Sequence, residues 1–257
     1  EGNLKGTQSA YVSGNIRDNK DGSLSTDKLN DTYRLSIDDG RGSIDWDAFV
    51  DAPYFPSYAK IESAQEAYKS VLSDVGANLP LSDDTDRRVI KETLERSYTY
   101  VGSKSGIRGE IDNEKDAGGY ELYPEEMRPA DFDTDLDGLP DWWEEINGSN
   151  VNSAAGDYSD SHADNNNDGF SALEDYLAFM ASPNKILKPG EGTDIDLKAM
   201  FAGYTQSPMY AVDDPQSISH ISGSKLTIAA PSQIGIYPIT LTVTDGDGAS
   251  YTRLLNI

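Results

Sequence analysis

Cysteine is absent from this sequence of 257 residues, and basic residues are scarce. The lack of cysteine excludes disulfides, zinc–thiolate sites and cysteine nucleophiles. Only 21 Lys and Arg stand against 45 Asp and Glu, for a formal charge of −24. Such a surface repels nucleic acid and anionic lipid, because phosphate binding needs clustered basic side chains. The chain therefore either stays highly soluble or recruits cations, and we expect no nucleic-acid partner.

Long apolar runs are missing as well. No stretch approaches the roughly 18 residues that a membrane-spanning helix needs, so we expect no membrane insertion. The sequence also lacks a Ser-His-Asp arrangement, a P-loop and a dinucleotide fingerprint. It begins Glu1-Gly2-Asn3 without an initiator Met. That start favours a processed or truncated product.

Four regions differ in their hydrophobic pattern. Residues 1–60 hold short apolar pieces between Gly, Asn and Asp, which predicts short strands and turns. Residues 61–130 contain two predicted helices, one with a Ser63–Glu66 capping box and a stop at Gly76, and one that starts near Ser82. Residues 190–257 alternate apolar and polar positions, which is typical of antiparallel strands.

The third region, residues 131–182, is the most unusual in charge. No Lys or Arg occurs between Arg128 and Lys185. Two acidic loops lie there, and a short helix is predicted after each, over 140–147 with a stop at Gly148 and over 171–181 with a stop at Pro183.

The first acidic loop, DTDLDGLPDWWE at 133–144, fits the twelve-residue calcium loop of EF type at every defined position. Glycine at the sixth position allows the sharp turn, and a glutamate at the twelfth can bind through two oxygens. Hard oxygen ligands of this number suit Ca²⁺ rather than softer metals. The ligands that we expect are Asp133, Asp135, Asp137, the Leu139 carbonyl, Asp141 through water, and Glu144.

The second loop, DNNNDGFSALED at 164–175, repeats this pattern with an aspartate at the last position, a dockerin-like variant. The ligands expected here are Asp164, Asn166, Asp168, the Phe170 carbonyl and Asp175. Nearby Asp157, Asp160 and His162 are further candidates for one site, although His is a poor calcium ligand. Pro140 and the prolines before the first loop depart from a paired EF-hand, so we expect two structural Ca²⁺ sites rather than a switch.

Several stretches resemble the C-terminal part of secreted pectate lyases of polysaccharide lyase family 1. They lie in the same order as in that family and cover roughly residues 1–180. The stretches are SAQEAYKSVLSDVGA at 63–77, DRRVI at 86–90, GEIDN at 109–113 with DAGGY at 116–120, the loop at 133–144, and DGFSALEDYL at 168–177.

This resemblance implies a secreted, extracellular or cell-surface protein of mixed, mainly β fold. The last coils of a right-handed parallel β-helix would occupy 1–60, with Tyr11 to Asn15 on a closing strand. Helices and a wrapping segment would follow over 61–130, then the calcium-binding loop–helix segment over 131–182. An immunoglobulin- or cadherin-like β-sandwich is predicted over 190–257 from its alternation.

The family cleaves polygalacturonate by β-elimination with an Arg base and bound Ca²⁺, on coils upstream of any residue present here. No catalytic residue is carried over, and we expect this chain alone to be inactive. The partners implied are the missing N-terminal β-helix part or a neighbouring copy, and a pectin-type polysaccharide. The alternative is a subunit of a calcium-dependent extracellular assembly or an adhesin that uses the sandwich.

Other candidates have simpler structural interpretations. The scattered arginines are interpreted as ion-pair partners rather than as lyase bases: Arg17, Arg34, Arg41, Arg87, Arg88, Arg96 and Arg108. The aromatic residues of the first region are interpreted as a small core rather than a sugar platform: Tyr33, Trp46, Tyr54, Phe55 and Tyr58. Asp245 and Asp247 are interpreted as a hairpin turn rather than a cation site.

Overall fold

The structure is a computed structural model that describes residues 9–19, 21–26, 49–76, 78–79, 82–123, 125 and 127–257. It is a mixed α and β protein with several antiparallel sheets, and it divides after Tyr68 into two compact units. Within the described residues, no helix is both long and apolar enough to cross a lipid bilayer.

Short strands make up the described part of the first unit. β1 (Ala10–Tyr11) pairs in parallel with β4 (Phe49–Val50), and β2 (Arg17–Asp18) pairs antiparallel with β3 (Leu24–Ser25). Parallel pairing of β1 is the arrangement that a β-helix coil requires, although it extends over only two residues here. The apolar pieces predicted as short strands between residues 27 and 48 lie outside the described residues.

Two helices follow near the positions that the sequence predicts. α1 spans Ala64–Asp74, and Ser63 and Glu66 form the predicted reciprocal capping bonds. α2 spans Asp84–Glu95. Its N-cap is Asp83, whose side chain accepts the Asp86 N–H, so the expectation of a cap at Ser82 was wrong by one residue.

The two short helices after the acidic loops also form as predicted. α3 spans Asp141–Asn147 and stops at Gly148, which adopts a left-handed φ of 77°. α4 spans Ala172–Ala181, and Ser171 caps it in a capping box with Glu174.

The last region contains two antiparallel sheets of three strands with orders β10–β9–β6 and β5–β8–β7. The strands are β5 (Gly192–Asp196), β6 (Met209–Asp213), β7 (Ser219–Ser222), β8 (Lys225–Ala229), β9 (Pro238–Thr244) and β10 (Ser250–Asn256). Side chains of both sheets enter one core: Leu226 and Ile228 from β8, and Ile239, Leu241 and Val243 from β9, all at most 1% exposed. The predicted alternation and the turn before β10 are therefore confirmed.

One stretch predicted as strand is a helix. Alternation suggested that Ile195, Leu197, Ala199 and Phe201 share a strand face, but α5 covers Leu197–Met200. The Asp196 side chain accepts the Lys198 N–H and so starts the helix. Leu197 and Phe201 are four residues apart, which places both on one helical face, where they are fully buried.

The connection between α4 and β5, residues 182–191, is fixed by backbone hydrogen bonds. The Lys185 N–H donates to the Asn256 carbonyl at 2.8 Å, and the Asn256 N–H donates to the Pro183 carbonyl at 3.0 Å. Further on, the Gly190 N–H donates to the Pro231 carbonyl. Backbone bonds therefore hold this segment at its start, to β10, and near its end, to Pro231 after β8.

Candidate metal centre

The backbone of the first acidic loop turns sharply at two positions. Leu136 has a φ of 63° and Gly138 a φ of 102°, both in the left-handed region. Glycine meets that requirement without a Cβ clash at the sixth loop position. The loop closes through a bond from the Asp141 N–H to the Phe132 carbonyl at 2.9 Å.

Three carboxylates converge inside this loop. One oxygen from each of Asp133, Asp135 and Asp137 lies within 4.8 Å of the other two. Across the described ranges, no other group of three acidic, His or Cys side chains meets that distance. Glu144, the twelfth residue of the loop, is 0% exposed.

The convergent oxygens lack protein partners. Asp133 Oδ1, Asp135 Oδ1, Asp137 Oδ2 and both Glu144 oxygens are buried without any hydrogen-bond donor. A buried ionised carboxylate without a partner costs several kcal/mol. Five such oxygens in one loop fit a hard cation of high coordination number, because it would satisfy all of them at once. The donor set contains oxygen alone, which suits Ca²⁺ or Mg²⁺ rather than a soft metal.

The charges in the loop shift the pKa values of its acids. Burial, followed by repulsion from Asp135 and Asp137, raises the pKa of Glu144 to about 7. Burial also raises the pKa of Asp137, although the Leu139 N–H donates to it and opposes the shift. A bound cation would remove this repulsion and keep both groups ionised.

Asp141 differs from the other acids of the loop. Its two oxygens accept the Thr134 N–H and the Thr134 hydroxyl, each at 2.7 Å. The side chain therefore already has protein donors and holds the start of the loop against the start of α3. Leu139 lies fully buried at the seventh position, with its N–H bonded to Asp137.

The segment at 149–161 closes the first loop, and sequence reasoning gave it little weight. The Ser153 N–H donates to Asp135 Oδ2 at 2.9 Å, which joins this segment to the first loop. Asp160 accepts the Asn150 N–H and is near enough to Glu144 to contribute to its raised pKa. Spacing in the sequence points to the candidate ligands of the loop, but it gives no sign of these more distant donors.

The two neighbouring candidates of that segment stay at the surface. Asp157 accepts the Ser159 N–H at 3.0 Å. His162 stacks on Tyr158 with ring centroids 6.0 Å apart. Neither belongs to the buried carboxylate group.

The second loop repeats the backbone of the first, position by position. Asn167 and Gly169 have φ values of 58° and 96°, matching Leu136 and Gly138. The closing bond recurs from the Ala172 N–H to the Ala163 carbonyl at 2.8 Å.

The side-chain bonds of the two loops match as well. Asp164 Oδ2 accepts the Gly169 N–H, as Asp133 Oδ2 accepts the Gly138 N–H, both at 3.1 Å. Asp168 Oδ1 accepts the Phe170 N–H at 2.9 Å, as Asp137 does for Leu139 at 2.8 Å. Because the two loops share this backbone conformation, both are expected to bind the same kind of ligand.

The interior of the second loop is different. Asp164, Asn166 and Asp168 are exposed, and so is Phe170, at 58%. The Asn166 amide nitrogen donates to Asp168 at 2.9 Å and to Asp175 at 3.3 Å. A cation there requires that amide to turn so that its oxygen faces the carboxylates. Burial, with repulsion from Asp168 and Asp164, raises the pKa of Asp175.

An aromatic cluster joins the helices that follow the two loops. Leu139, Trp143 and Tyr176 are buried, with Trp142 and Phe179 against them. Trp143 lies 5.6 Å from Tyr176 and 5.3 Å from Phe179 between ring centroids. Because Leu139 belongs to both loop and cluster, the order of the first loop and the packing of α3 on α4 depend on each other.

The simpler interpretations of the remaining candidates are confirmed only in part. Lys69 Nζ lies 2.7 Å from both Asp245 Oδ2 and Asp247 Oδ2, so an ammonium group already stands between these acids. Arg87 pairs with Asp84 and Arg88 with Glu92, as expected of ion-pair partners. Arg34 and Arg41 lie outside the described residues.

The expectation of a small aromatic core in the first region was wrong for the residues that are described. Tyr54, Phe55 and Tyr58 are 65%, 73% and 103% exposed. The backbone at 54–59 forms bends and belongs to no helix or strand. Tyr33 and Trp46 lie outside the described residues.

Comparisons with protein-family models, with curated proteins and with solved structures found no match to this chain.

Proposed function

We propose that this chain is the non-catalytic, C-terminal portion of a secreted pectate-lyase-like protein, stabilised by two structural Ca²⁺ sites. The observation that carries the metal proposal is the set of five buried carboxylate oxygens without donors in the first loop. Asp133, Asp135, Asp137 and Glu144 would hold the ion directly, with the Leu139 carbonyl. Asp141 would act from outside through its bonds to Thr134.

The second site would use Asp164, Asn166, Asp168, the Phe170 carbonyl and Asp175. Its support is the repeated backbone conformation rather than buried unpaired oxygens. The ion would supply positive charge that offsets mutual repulsion of the acids, and so the free energy of binding would become free energy of folding.

The remaining parts of the proposal concern architecture. Two antiparallel sheets that share one core support an immunoglobulin- or cadherin-like sandwich in the last region. Parallel pairing of β1 with β4 supports a β-helix coil in the first region. The sandwich would act as a spacer or bind glycan.

Thermal unfolding with and without calcium tests the metal proposal. Free Ca²⁺ at about 100 times Kd should stabilise the folded chain by about 2.7 kcal/mol for each independent site. Excess EDTA should lower the melting temperature and speed proteolysis between residues 131 and 175. An unchanged melting temperature and cleavage pattern in EDTA would contradict structural calcium.

A lyase assay tests the non-catalytic part of the proposal. We expect no unsaturated uronate product when the chain is incubated with polygalacturonate and Ca²⁺. Ultraviolet absorbance of the product reports the reaction, and a pectate lyase of known activity serves as the positive control. Sustained product formation by the purified chain would show that it carries its own catalytic residues.

A further inference from the structure

A cleft of about 460 Å³ opens between the helices that follow the acidic loops and the last region of the chain. This volume lies within the roughly 300–1,000 Å³ that binding sites usually have. One wall consists of Trp142 and Ile146 of α3 and Phe179 of α4, and the other of Ile234, Ile236 and Tyr237 before β9. Most of the surface is apolar, so the cleft suits aromatic or aliphatic side chains.

The cleft has a mainly acidic rim. Glu145 and Glu191 line it, with Lys188 as its one basic residue. The Glu191 carboxylate also accepts the Lys188 N–H, which fixes this acid at the edge. An apolar occupant that carries a basic residue therefore complements the cleft better than an acidic one.

Among the described stretches that expose neighbouring large apolar side chains, two do so most fully. The first, at 54–61, contains Tyr58 and Ile61, which are 103% and 78% exposed. The second contains Tyr120 and Leu122, which are 85% and 94% exposed. Their charges differ, because the first carries Lys60 whereas the second carries Glu121 and further acids. The acidic rim favours the first stretch.

We propose that the cleft binds residues 54–61 of a second copy of this chain, with Tyr58 as the inserted ring and Lys60 beside Glu145. Each aromatic ring that enters such a cleft buries about 150–250 Å², enough to anchor an interface. Both surfaces are open in the structure, so a second copy can reach them.

The calcium dependence of this contact rests on the proposed function. The α3 wall is built on the first loop, since Leu139 packs with Trp143 and Tyr176 beneath Trp142. Loss of the cation would disorder this wall and loosen the packing of Ile236 on the same cluster, whereas Tyr237 is held by backbone bonds to Ile257. Association should therefore require calcium.

Sedimentation of the full chain over a range of concentrations in calcium buffer tests the contact. We expect self-association that EDTA reverses. Tyr58→Ser and Ile234→Asp should each weaken association by more than about tenfold, as expected for a central anchor. Matched controls are Tyr120→Ser, on the other exposed stretch, and Leu254→Asp, which changes a residue exposed to the same 49% as Ile234.

A charge exchange strengthens the design. Lys60→Glu should weaken association, and adding Glu145→Lys to it should restore binding. A chain that was merely unfolded by Lys60→Glu would not regain association when Glu145→Lys is added. Binding by the wild type that neither Tyr58→Ser nor Ile234→Asp weakens would overturn the proposal.

Calorimetric titration with calcium separates this proposal from the one on which it rests. A chain that binds calcium but stays monomeric at all concentrations overturns the contact alone. A chain that binds no calcium overturns the proposed function, whatever its state of association.

Discussion

Glu144 is the residue on which the metal proposal makes its sharpest prediction. Glu144→Gln removes a charge that is repelled in the empty loop but needed by a cation. In EDTA the variant should be more stable than the wild type. In calcium it should be less stable, with affinity for the first site reduced on the order of 100-fold, since even the loss of an outer partner costs about 10- to 100-fold.

Thermal melts of both proteins with and without calcium measure this reversal. Glu125→Gln is the matched control, because Glu125 is an exposed glutamate outside both loops, and it should change neither condition. A Glu144→Gln variant that is destabilised equally in calcium and in EDTA would indicate a purely structural glutamate.

Asp116 gives a pH prediction outside the metal loops. It accepts the Ser103 N–H and the Asp112 N–H, and these backbone bonds lower its pKa to about 2. Because the pKa of Asp116 is lower in the folded chain than in the unfolded chain, its ionised carboxylate stabilises the fold above the unfolded pKa of about 3.9. That stabilisation is lost as the pH falls from about 4 towards 2.

Hydrogen exchange at the Ser103 and Asp112 amides reports this local effect. Protection should fall through that pH window in the wild type, whereas Asp116→Asn should show little further change across it. Glu110→Gln, an exposed acid of the same segment, serves as control. Equal pH profiles for the wild type and Asp116→Asn would rule out the assignment.

Among the elements, α1 carries a buried ion pair to the turn after β9. Lys69 and Asp245 are 6% and 2% exposed, and the hydrogen bonds to Asp245 and Asp247 outweigh burial and raise the pKa of Lys69. Lys69→Met leaves Asp245 buried and unpaired, which should cost about 3–5 kcal/mol in unfolding free energy.

Denaturant unfolding measures that cost. Lys225→Met is the matched control, since Lys225 pairs with Asp194 at the surface and should lose at most about 1 kcal/mol. The double change Lys69→Met with Asp245→Asn should recover part of the loss. If Lys69→Met and Lys225→Met lowered the unfolding free energy equally, burial of the Lys69–Asp245 pair would not add to its contribution.

The second loop should bind calcium more weakly than the first, because Asn166 donates its amide nitrogen to two of the acids. Asn166→Asp replaces that donor with an oxygen ligand and should tighten the second site. Calorimetry measures both sites, with Asn165→Asp as a control that adds the same charge at a position that supplies no ligand. Equal tightening by both variants would indicate a general charge effect.

Sequence patterns predicted the elements with strong local signals. The loop spacing, the left-handed glycines at 138 and 148, and the alternation at 239–243 all lie where expected. The pattern could not show that Asp196 would start a helix after β5, because Leu197 and Phe201 suit either period. Closure of the first loop by Ser153 was also beyond prediction, since it joins residues 18 positions apart.

At the scale of the whole molecule, two regions of the described chain compensate their negative charge differently. Lys69 of α1 pairs with the buried Asp245, and the buried Arg253 of β10 pairs with the exposed Asp74. The first loop itself contains no basic residue, and under the proposed function a bound cation would offset its negative charge. The chain should therefore respond to chelators most strongly in one region rather than throughout.

The bonded connection between α4 and β5 affects how the molecule diffuses. Since Asn256 bonds both Pro183 and Lys185, the helices beside the acidic loops cannot reorient independently of the neighbouring sheets. Rotational diffusion of residues 131–257 should then follow a single correlation time in NMR relaxation. Fluorescence depolarisation of Trp142 and Trp143 would report the same slow rotation as any probe on β9.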